Sequence, residues 1–479
     1  MKVPLLAALF LFMVPSLCLA HEVHDAEKPN FIVIFADDLG YGDLSCYGHP
    51  SISTPYIDRM ATEGQRWTDF YAAAPVCTPS RAGLLTGRYP TRTGTASGVF
   101  FEWSAEGMDP AEVTIAETLK SAGYTTAAVG KWHLGHRKAY LPTSQGFDSY
   151  YGIPYSNDMG IDAKMTFAKD VKLRGGVTLE QAQMPAKRKT GLVPLMENEE
   201  IIEFPCDQDS LTKRYTERCV EFIKENQKKP FFLYYASSFP HVPLHASAEF
   251  RGKSKRGLYG DVVEELDASV GRILETLRQT GLDKNTIVVF TSDNGPWLSE
   301  KLRGGSSGLL RGGKGMTWDG GMREPTVFWG PGQIKAGSIC REVGSTLDLY
   351  TTFTSLAGIK AKGEDSLDLT PALKGGKSPR ELFYFYRGDQ IYALRWGQWK
   401  LHLVTEGWLG VEGDKEVHKS PLLYHLGRDP GEKYDVASHH QDVVRKMLSF
   451  IDKQKEDVKP GRNLYVKKLD YVDRPAWSK

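Results

Sequence analysis

The sequence predicts an α/β protein in two parts. A large domain is built on a parallel or mostly parallel mixed sheet flanked by helices, and a small C-terminal α+β domain carries an antiparallel sheet. Three observations predict this. From about Phe31 to about Leu373, apolar runs of strand length alternate with amphipathic helical stripes, the strand–helix–strand pattern of a covered parallel sheet. Beyond Leu373 the texture changes to short strand-like runs with tight polar or glycine breaks. At 479 residues the chain exceeds the usual size of one hydrophobic core, so two domains are the default.

Each element has a local cause. "FIVIFADD" (31–38) is nearly all apolar, as expected of a strand buried on both faces. Thr54-Pro55 opens a helix, with threonine as N-cap and proline at the first helical position. "PSRAGLLTG" (79–87) reads as a helix with Pro79 in its first turn. "AEVTIAETLKSAG" (111–123) is a helix ending on Gly123, and "YTTAAVGKWH" is a strand running into a loop. The stretch 160–207 shows no period and reads as irregular. Leu211, Tyr215, Cys219, Phe222 and Ile223 form a helical stripe before the strand "FFLYYASSFPH". Leu266, Val270, Ile273, Leu274 and Leu277 form another before "NTIVVFTSDNG". "KGGKSPR" (374–380) reads as a linker; "ELFYFY", "IYALRW", "QWKLHLV" and "PLLYHL" are short strands, and "HHQDVVRKMLSFIDKQ" is a last helix. The expected domains are therefore 28–373 and 374–479.

Sixty basic and 59 acidic residues give a net charge of +1, which excludes the electrostatic footprint of a nucleic-acid binder. Residues 1–20, with one lysine, an apolar run and a small residue before His21, read as a secretory signal peptide. The mature protein is then secreted or periplasmic, and no other segment is apolar enough to cross a bilayer. It keeps five cysteines; an odd number leaves at least one unpaired. No Asn-x-Ser/Thr sequon occurs, which favours a periplasmic or secreted protein over a glycosylated lysosomal one. Oligomeric state is not legible.

In open α/β sheets, ligands bind beyond the carboxyl ends of the strands. Four expected strand ends here carry polar residues: Asp37-Asp38, Lys131 with His133, His241, and Asp293-Asn294. If those strands are neighbours, the ends meet in one crevice. Asp37, Asp38, Asp293 and Asn294 are hard oxygen donors, a set that selects Ca²⁺ or Mg²⁺ over zinc. One Asp-Asp pair alone reads as a cap or turn. Two acidic strand ends in one alternating domain favour a metal.

Cys77 lies at the start of the helix it opens, where backbone N–H groups and the dipole favour an anion, with Arg81 one turn on. A thiolate phosphatase needs Cys-x5-Arg, but the spacing here is Cys-x3-Arg. A disulfide half and a plain core cysteine stay open on these grounds.

Cys77-Thr78-Pro79-Ser80-Arg81 followed by "LLTG" resembles the sulfatase signature, and "GKWHLG" (130–135) resembles that family's second signature. "DDLGYGDLSCYGHP", "FTSDNGP", "GLLRGGKGMTWDGGMREP" and "LLYHLGRDPGEKYDV" are similar to the arylsulfatase A branch nearly end to end. The resemblance covers about Pro29 to Val436 and implies an alkaline-phosphatase-like sandwich with a small C-terminal domain. It implies that Cys77 is converted to formylglycine during export, by formylglycine-generating enzyme. The four remaining cysteines, Cys46, Cys206, Cys219 and Cys340, are then enough for up to two disulfides.

The same resemblance implies a sulfate-ester hydrolase acting on a sulfated glycan or small molecule. One hydroxyl of the aldehyde hydrate attacks sulfur and the second expels sulfate. Asp37, Asp38, Asp293, Asn294 and the modified Cys77 would hold Ca²⁺, with Mg²⁺ second. Arg81 would hold the hydrate, Lys131 and Lys314 would bind sulfate oxygens, and His133 would assist elimination. His241 would protonate the leaving oxygen, Ser156 would touch the sulfate, and His402 would reach the pocket rim. Trp297, Arg303 and Trp318 are further rim candidates. The rival readings are a phosphomonoester or phosphonate hydrolase on this scaffold and a non-catalytic glycan-binding protein.

Overall fold

The computed structural model describes residues 28–184, 191–472 and 474; the expected signal peptide lies outside them. In chain order the strands are β1 (Asn30–Ala36), β2 (Gln65–Tyr71), β3 (Thr125–Gly130), β4 (Ser149–Gly152), β5 (Phe167–Leu173), β6 (Leu195–Glu197), β7 (Glu200–Phe204), β8 (Phe231–Ala236), β9 (Thr286–Ser292), β10 (Thr326–Trp329) and β11 (Ser338–Ser345). They form one eleven-stranded sheet in the order β11-β2-β10-β9-β1-β8-β3-β4-β6-β7-β5. The central run β9-β1-β8-β3-β4 is parallel throughout. Strands β10 and β6 each run antiparallel to both neighbours.

Alternation along β1 decides the layering. Phe31, Val33 and Phe35 enter one core and Ile32, Ile34 and Ala36 the other, all at zero exposure, because successive side chains leave a strand on opposite faces. The helices Cys77–Thr86 and Ile115–Ser121 contribute to the first core. The helices Leu211–Glu225 and Leu258–Gln279 cover the second through the apolar stripes read from the sequence, and Pro55–Glu63 adds Ile57 and Met60.

The small domain is a four-stranded antiparallel sheet, β12 (Leu382–Arg387), β13 (Gln390–Trp396), β14 (Trp399–Thr405) and β15 (Glu416–His425), in chain order, packed by the helix Gln441–Asp457. Its core is not separate. Tyr71, Tyr89, Met322 and Leu347 of the large domain join Phe383, Phe385, Leu401 and Met447 in one buried cluster, with the Tyr71 and Phe383 rings stacked 4.8 Å apart. Ion pairs cross the same interface, Arg395–Asp69 at 2.6 Å and Lys400–Asp319 at 2.8 Å.

Several expectations are corrected. The described residues of the stretch 160–207 include β5, β6 and β7, three strands toward one edge of the sheet. Strands β2, β10 and β11 escaped the pattern because they are short or mix polar with apolar residues. Thr54 occupies the N-cap position of its helix but does not cap it; its hydroxyl accepts from Ser45 N at 3.0 Å and donates to Asp58. The helix ending before Gly123 starts at Ile115, fixed by a capping box between Thr114 and Glu117. In the expected linker, Arg380 is buried and paired with Asp348. Cys46, Cys206, Cys219 and Cys340 are all unpaired, so no disulfide forms among them.

Candidate active site

The strand order brings the polar ends together. β9, β1, β8 and β3 are consecutive in the sheet, so Asp293-Asn294, Asp37-Asp38, His241 and Lys131 with His133 follow neighbouring strands. Asp38 and His133 hold positive φ, 64° and 60°, a conformation that costs energy away from glycine and is concentrated at functional sites. At Gly130, φ is 106° and a Cβ would lie 1.8 Å from Ala236 O, so the turn into Lys131 requires glycine.

Cys77 begins the buried ten-residue helix Cys77–Thr86. Its Sγ lies 3.5 Å from Asp37 Oδ1. Burial, helped by Asp37 and Asp293 and opposed by Lys131 and Lys314, pushes the thiol well up. A cysteine held as a thiol is a poor nucleophile, so the thiolate reading loses its footing. The disulfide reading goes too, since Cys77 is unpaired.

Around it the charges interlock. Lys131 Nζ donates to Asp37 Oδ2 at 2.6 Å and to Ser156 Oγ at 3.3 Å. Lys314 Nζ donates to Asp38 Oδ2 at 2.8 Å and stands 4.3 Å over the Trp297 ring. Arg81 bridges Asp293 Oδ2 at 2.7 Å and the carbonyl of Lys131 at 2.9 Å. All three carboxylates and all three cations are buried. Burial opposes ionisation of Asp37, yet Lys131, His241, Arg81 and Lys314 together hold its carboxyl below the usual range. Asp293 goes the other way: burial and the adjacent Asp37 charge raise it to about 7.

Both histidines bind a proton less readily than a free imidazole. Burial, then Lys131 and Arg81, depress His133. Its Nε2 faces Phe100 O at 2.9 Å and must donate, which leaves the lone pair on Nδ1, buried without a partner. Burial and Lys314 lower His241. Its Nδ1 faces Val242 O at 2.5 Å and Asn157 Oδ1 at 3.1 Å, while Nε2 lies 3.4 Å from Ser156 Oγ and 3.7 Å from Asp38 Oδ2.

These donors fit a hard cation. Ligand atoms of Asp37, Asp38, Cys77 and Asp293 all lie within 4.8 Å of one another, the span that Ca–O bonds of about 2.3–2.6 Å give to opposed ligands. Asn294 donates its Nδ2 to Asp38 Oδ1 at 2.8 Å, while its Oδ1 is buried with no partner. An orphaned amide oxygen beside three carboxylates calls for a positive charge.

The sulfatase family model matches residues 29–359, and a model described as the C-terminal region of aryl-sulfatase matches 378–478. This chain belongs to the sulfatase family. It is 42% identical to arylsulfatase A of Homo sapiens over 443 residues, covering 88% of this chain and 85% of that protein. It is 39% identical to N-acetylgalactosamine-6-sulfatase of Mus musculus over 481 residues, covering 91% and 88%. These relatives are sulfuric ester hydrolases. Among solved structures, Ps i-CgsB matches with a TM-score of 0.78 at 31% identity, covering 92% of this chain and 96% of that one. The PsFucS1 sulfatase from Pseudoalteromonas sp. matches at 0.77 and 27%, covering 92% and 91%. The fold is the alkaline-phosphatase-like one that the resemblance implied.

Within this sulfatase, ten of the residues singled out from sequence share the pocket: Asp37, Asp38, Cys77, Arg81, Lys131, Ser156, His241, Asp293, Asn294 and Lys314. His133 joins through the helix, its backbone carbonyl accepting from Thr78 Oγ1 at 2.8 Å. His402 does not join. It is fully buried, bonds Glu432 Oε1 at 2.7 Å and packs 4.4 Å from Trp318, so its contacts lie in the domain interface and the rim expectation is not met. Arg303 is largely exposed and pairs with Glu300.

Sequence reasoning missed the residues that orient the rest of this sulfatase pocket. Ser292 Oγ accepts from Leu39 N at 3.0 Å and donates to Asn294 O at 3.0 Å, tying the two acidic loops together. Asn157 fixes the His241 ring and is itself held by Gln208 and Pro243 O. Asn157 adjoins Ser156 in "GIPYSND" and could have been read there; Ser292 inside an apolar strand gave no signal.

Proposed function

We propose that this chain hydrolyses sulfate esters of carbohydrate or aryl alcohols after export, with Cys77 converted to formylglycine and Ca²⁺ held by Asp37, Asp38, Asp293 and Asn294. The observation that carries this is the seat of Cys77: a buried helix N-terminus within ligand reach of three carboxylates and between two ammonium groups. When present, the hydrated aldehyde and the ion supply a nucleophilic oxygen of lowered pKa and charge neutralisation at sulfate.

The chain's own groups do the rest. With Asp293 ionised, as a bound cation would hold it, three carboxylates balance three cations, and a divalent ion leaves the pocket two charges positive, suited to an anionic ester and an anionic nucleophile. Lys131, Lys314 and the Ser156 hydroxyl bind sulfate oxygens and stabilise the charge that grows on them. Arg81 locks Asp293 and the turn at Lys131 in place. His133 takes a proton at Nδ1, the nitrogen left without a partner. His241 gives a proton from Nε2 to the leaving oxygen once an incoming sulfate anion offsets Lys314.

The test is purified protein from an export-competent host with formylglycine-generating enzyme. A peptide spanning Cys77 should lose about 18 Da, from SH and H replaced by a carbonyl oxygen. Nitrophenyl sulfate should be cleaved far faster than nitrophenyl phosphate. Phosphate preferred by orders of magnitude, or an unmodified thiol in active enzyme, rejects the reading.

A further inference from the structure

A cavity of about 310 Å³ opens beside the catalytic helix, between the two domains. Pro75, Val76 and Gly315 wall it on one side and Tyr386, Arg387 and Trp408 on the other. We propose that it is a sugar-binding subsite, and that the substrate is a sulfated oligosaccharide whose residue next to the sulfated one fills it. This rests on the sulfate-ester reading above and adds the substrate class.

The cavity adjoins the pocket through chain neighbours of two of its residues. Val76 immediately precedes Cys77 and Gly315 follows Lys314; Gly315 N donates to Pro75 O at 2.8 Å. Trp408 is the joint between the two spaces. It lines the cavity, its ring centroid is 5.4 Å from that of Trp297, and Lys314 Nζ lies 5.8 Å from it. Trp297 in turn lies 5.2 Å from His241, the residue placed at the leaving oxygen. An alcohol leaving beside His241 would meet Trp297, whose ring packs on Trp408.

The segment carrying Trp408 is built to hold that ring. Trp408 and Val411 exchange two backbone hydrogen bonds of 3.0 Å, and the tip between and after them includes Leu409 at φ 49° and Glu412 at φ 63°. Two non-glycine residues in the left-handed region are a strain that persists only where the surroundings hold it. Arg387 Nη1 holds the segment through Gly407 O at 3.2 Å, and Arg311 pairs with Glu412 at 2.7 Å. A Cβ on Gly315 would lie 2.4 Å from the indole, so glycine is what admits the ring so close to Lys314.

The chemistry of the lining selects a sugar. An indole and a tyrosine ring offer flat apolar faces for the C–H face of a pyranose, while Arg387 and the exposed Ser97 offer donors for its oxygens. Arg387 Nη1 pairs with Glu406 at 3.2 Å, and a sterol or acyl chain would offer its other N–H groups no acceptor, whereas sugar hydroxyls would. The volume stands at the low end of the ~300–1,000 Å³ of small-ligand sites, right for one ring rather than a chain.

The test compares nitrophenyl sulfate, a sulfated monosaccharide and the matching sulfated disaccharide on wild type, Trp408→Ala and Ser97→Trp, the last chosen to fill the cavity from its exposed side. Wild type should favour the disaccharide over the monosaccharide by at least tenfold in kcat/KM. Both variants should lose that preference through KM, with a loss on the disaccharide at least tenfold greater than on nitrophenyl sulfate. Wild type active on nitrophenyl sulfate but indifferent to the second sugar, or variants that lose all substrates equally, overturn the subsite alone. Wild type inactive on every sulfate ester removes the sulfatase reading and the subsite with it.

Discussion

Lys131 Nζ and Asp37 Oδ2 lie 2.6 Å apart, both side chains fully buried. The pair is a device for keeping a carboxylate ionised where burial alone would protonate it. Lys131→Met should leave Asp37 uncompensated and cost about 3–5 kcal/mol of stability, as removal of one partner of a buried pair does. Turnover of nitrophenyl sulfate should fall by at least 10²-fold, the scale of a lost charge-stabilising donor. Thermal melting and initial rates on the same preparation check both.

Cys77→Ala deletes one small side chain at a helix start. Turnover should vanish while the melting temperature moves by only a few degrees, about 1 kcal/mol in a chain of this size. A collapse in stability would mean that the residue packs the core and does no chemistry.

Chelation should remove activity and lower the melting point together, with Ca²⁺ restoring both. At a hundredfold excess over Kd, the ion adds about 2.7 kcal/mol to the native state. Asn294→Ala, which deletes the orphaned oxygen, should raise the Ca²⁺ concentration needed for half-maximal stabilisation. Differential scanning calorimetry against free Ca²⁺ reads this without any substrate.

His402 was expected at the rim and instead joins Lys400 and Glu432 under Trp318. His402→Ala should lower the melting temperature more than it alters KM. A KM effect with an intact melt would return the residue to the pocket.

Asp267 gives a pH signature away from the pocket. It accepts N–H bonds from Ile57 at 2.7 Å and Tyr56 at 3.2 Å, but burial outweighs them and raises it to about 7. A raised carboxyl binds its proton more tightly folded than unfolded. Its stabilising contribution is full below pH 3.8 and is lost as pH rises through 7. Asp267→Asn should flatten the fall in stability between pH 4 and 7, measured by urea unfolding at stepped pH.

What could be read from the chain was whatever local pattern sets. Strongly apolar strands such as β1, β8 and β9 declared themselves, and the polar residues at their ends marked the pocket because such residues are hard to place there otherwise. That these strands are neighbours is a long-range fact no window contains. Strands β6 and β7 were lost because they are short, and β5 because its sequence, FAKDVKL, mixes charged with apolar residues and is half exposed. His402 was misplaced for a different reason: "KLHL" shows an alternating strand, but which face meets the other domain depends on β14 pairing with β13 and β15. Trp408 lay in a glycine-rich turn, and only the approach of Gly315 shows what its ring does.

The four strands that end in the pocket are the middle of the sheet, spaced about 4.8 Å apart, with cores on both sides. Nothing in the machinery hangs from a terminus or an edge. Amide protons of β1, β3, β8 and β9 should therefore exchange with solvent only when the whole molecule opens. During heating, residual activity and residual native signal should decay along one curve, with no interval in which a folded but disabled enzyme accumulates.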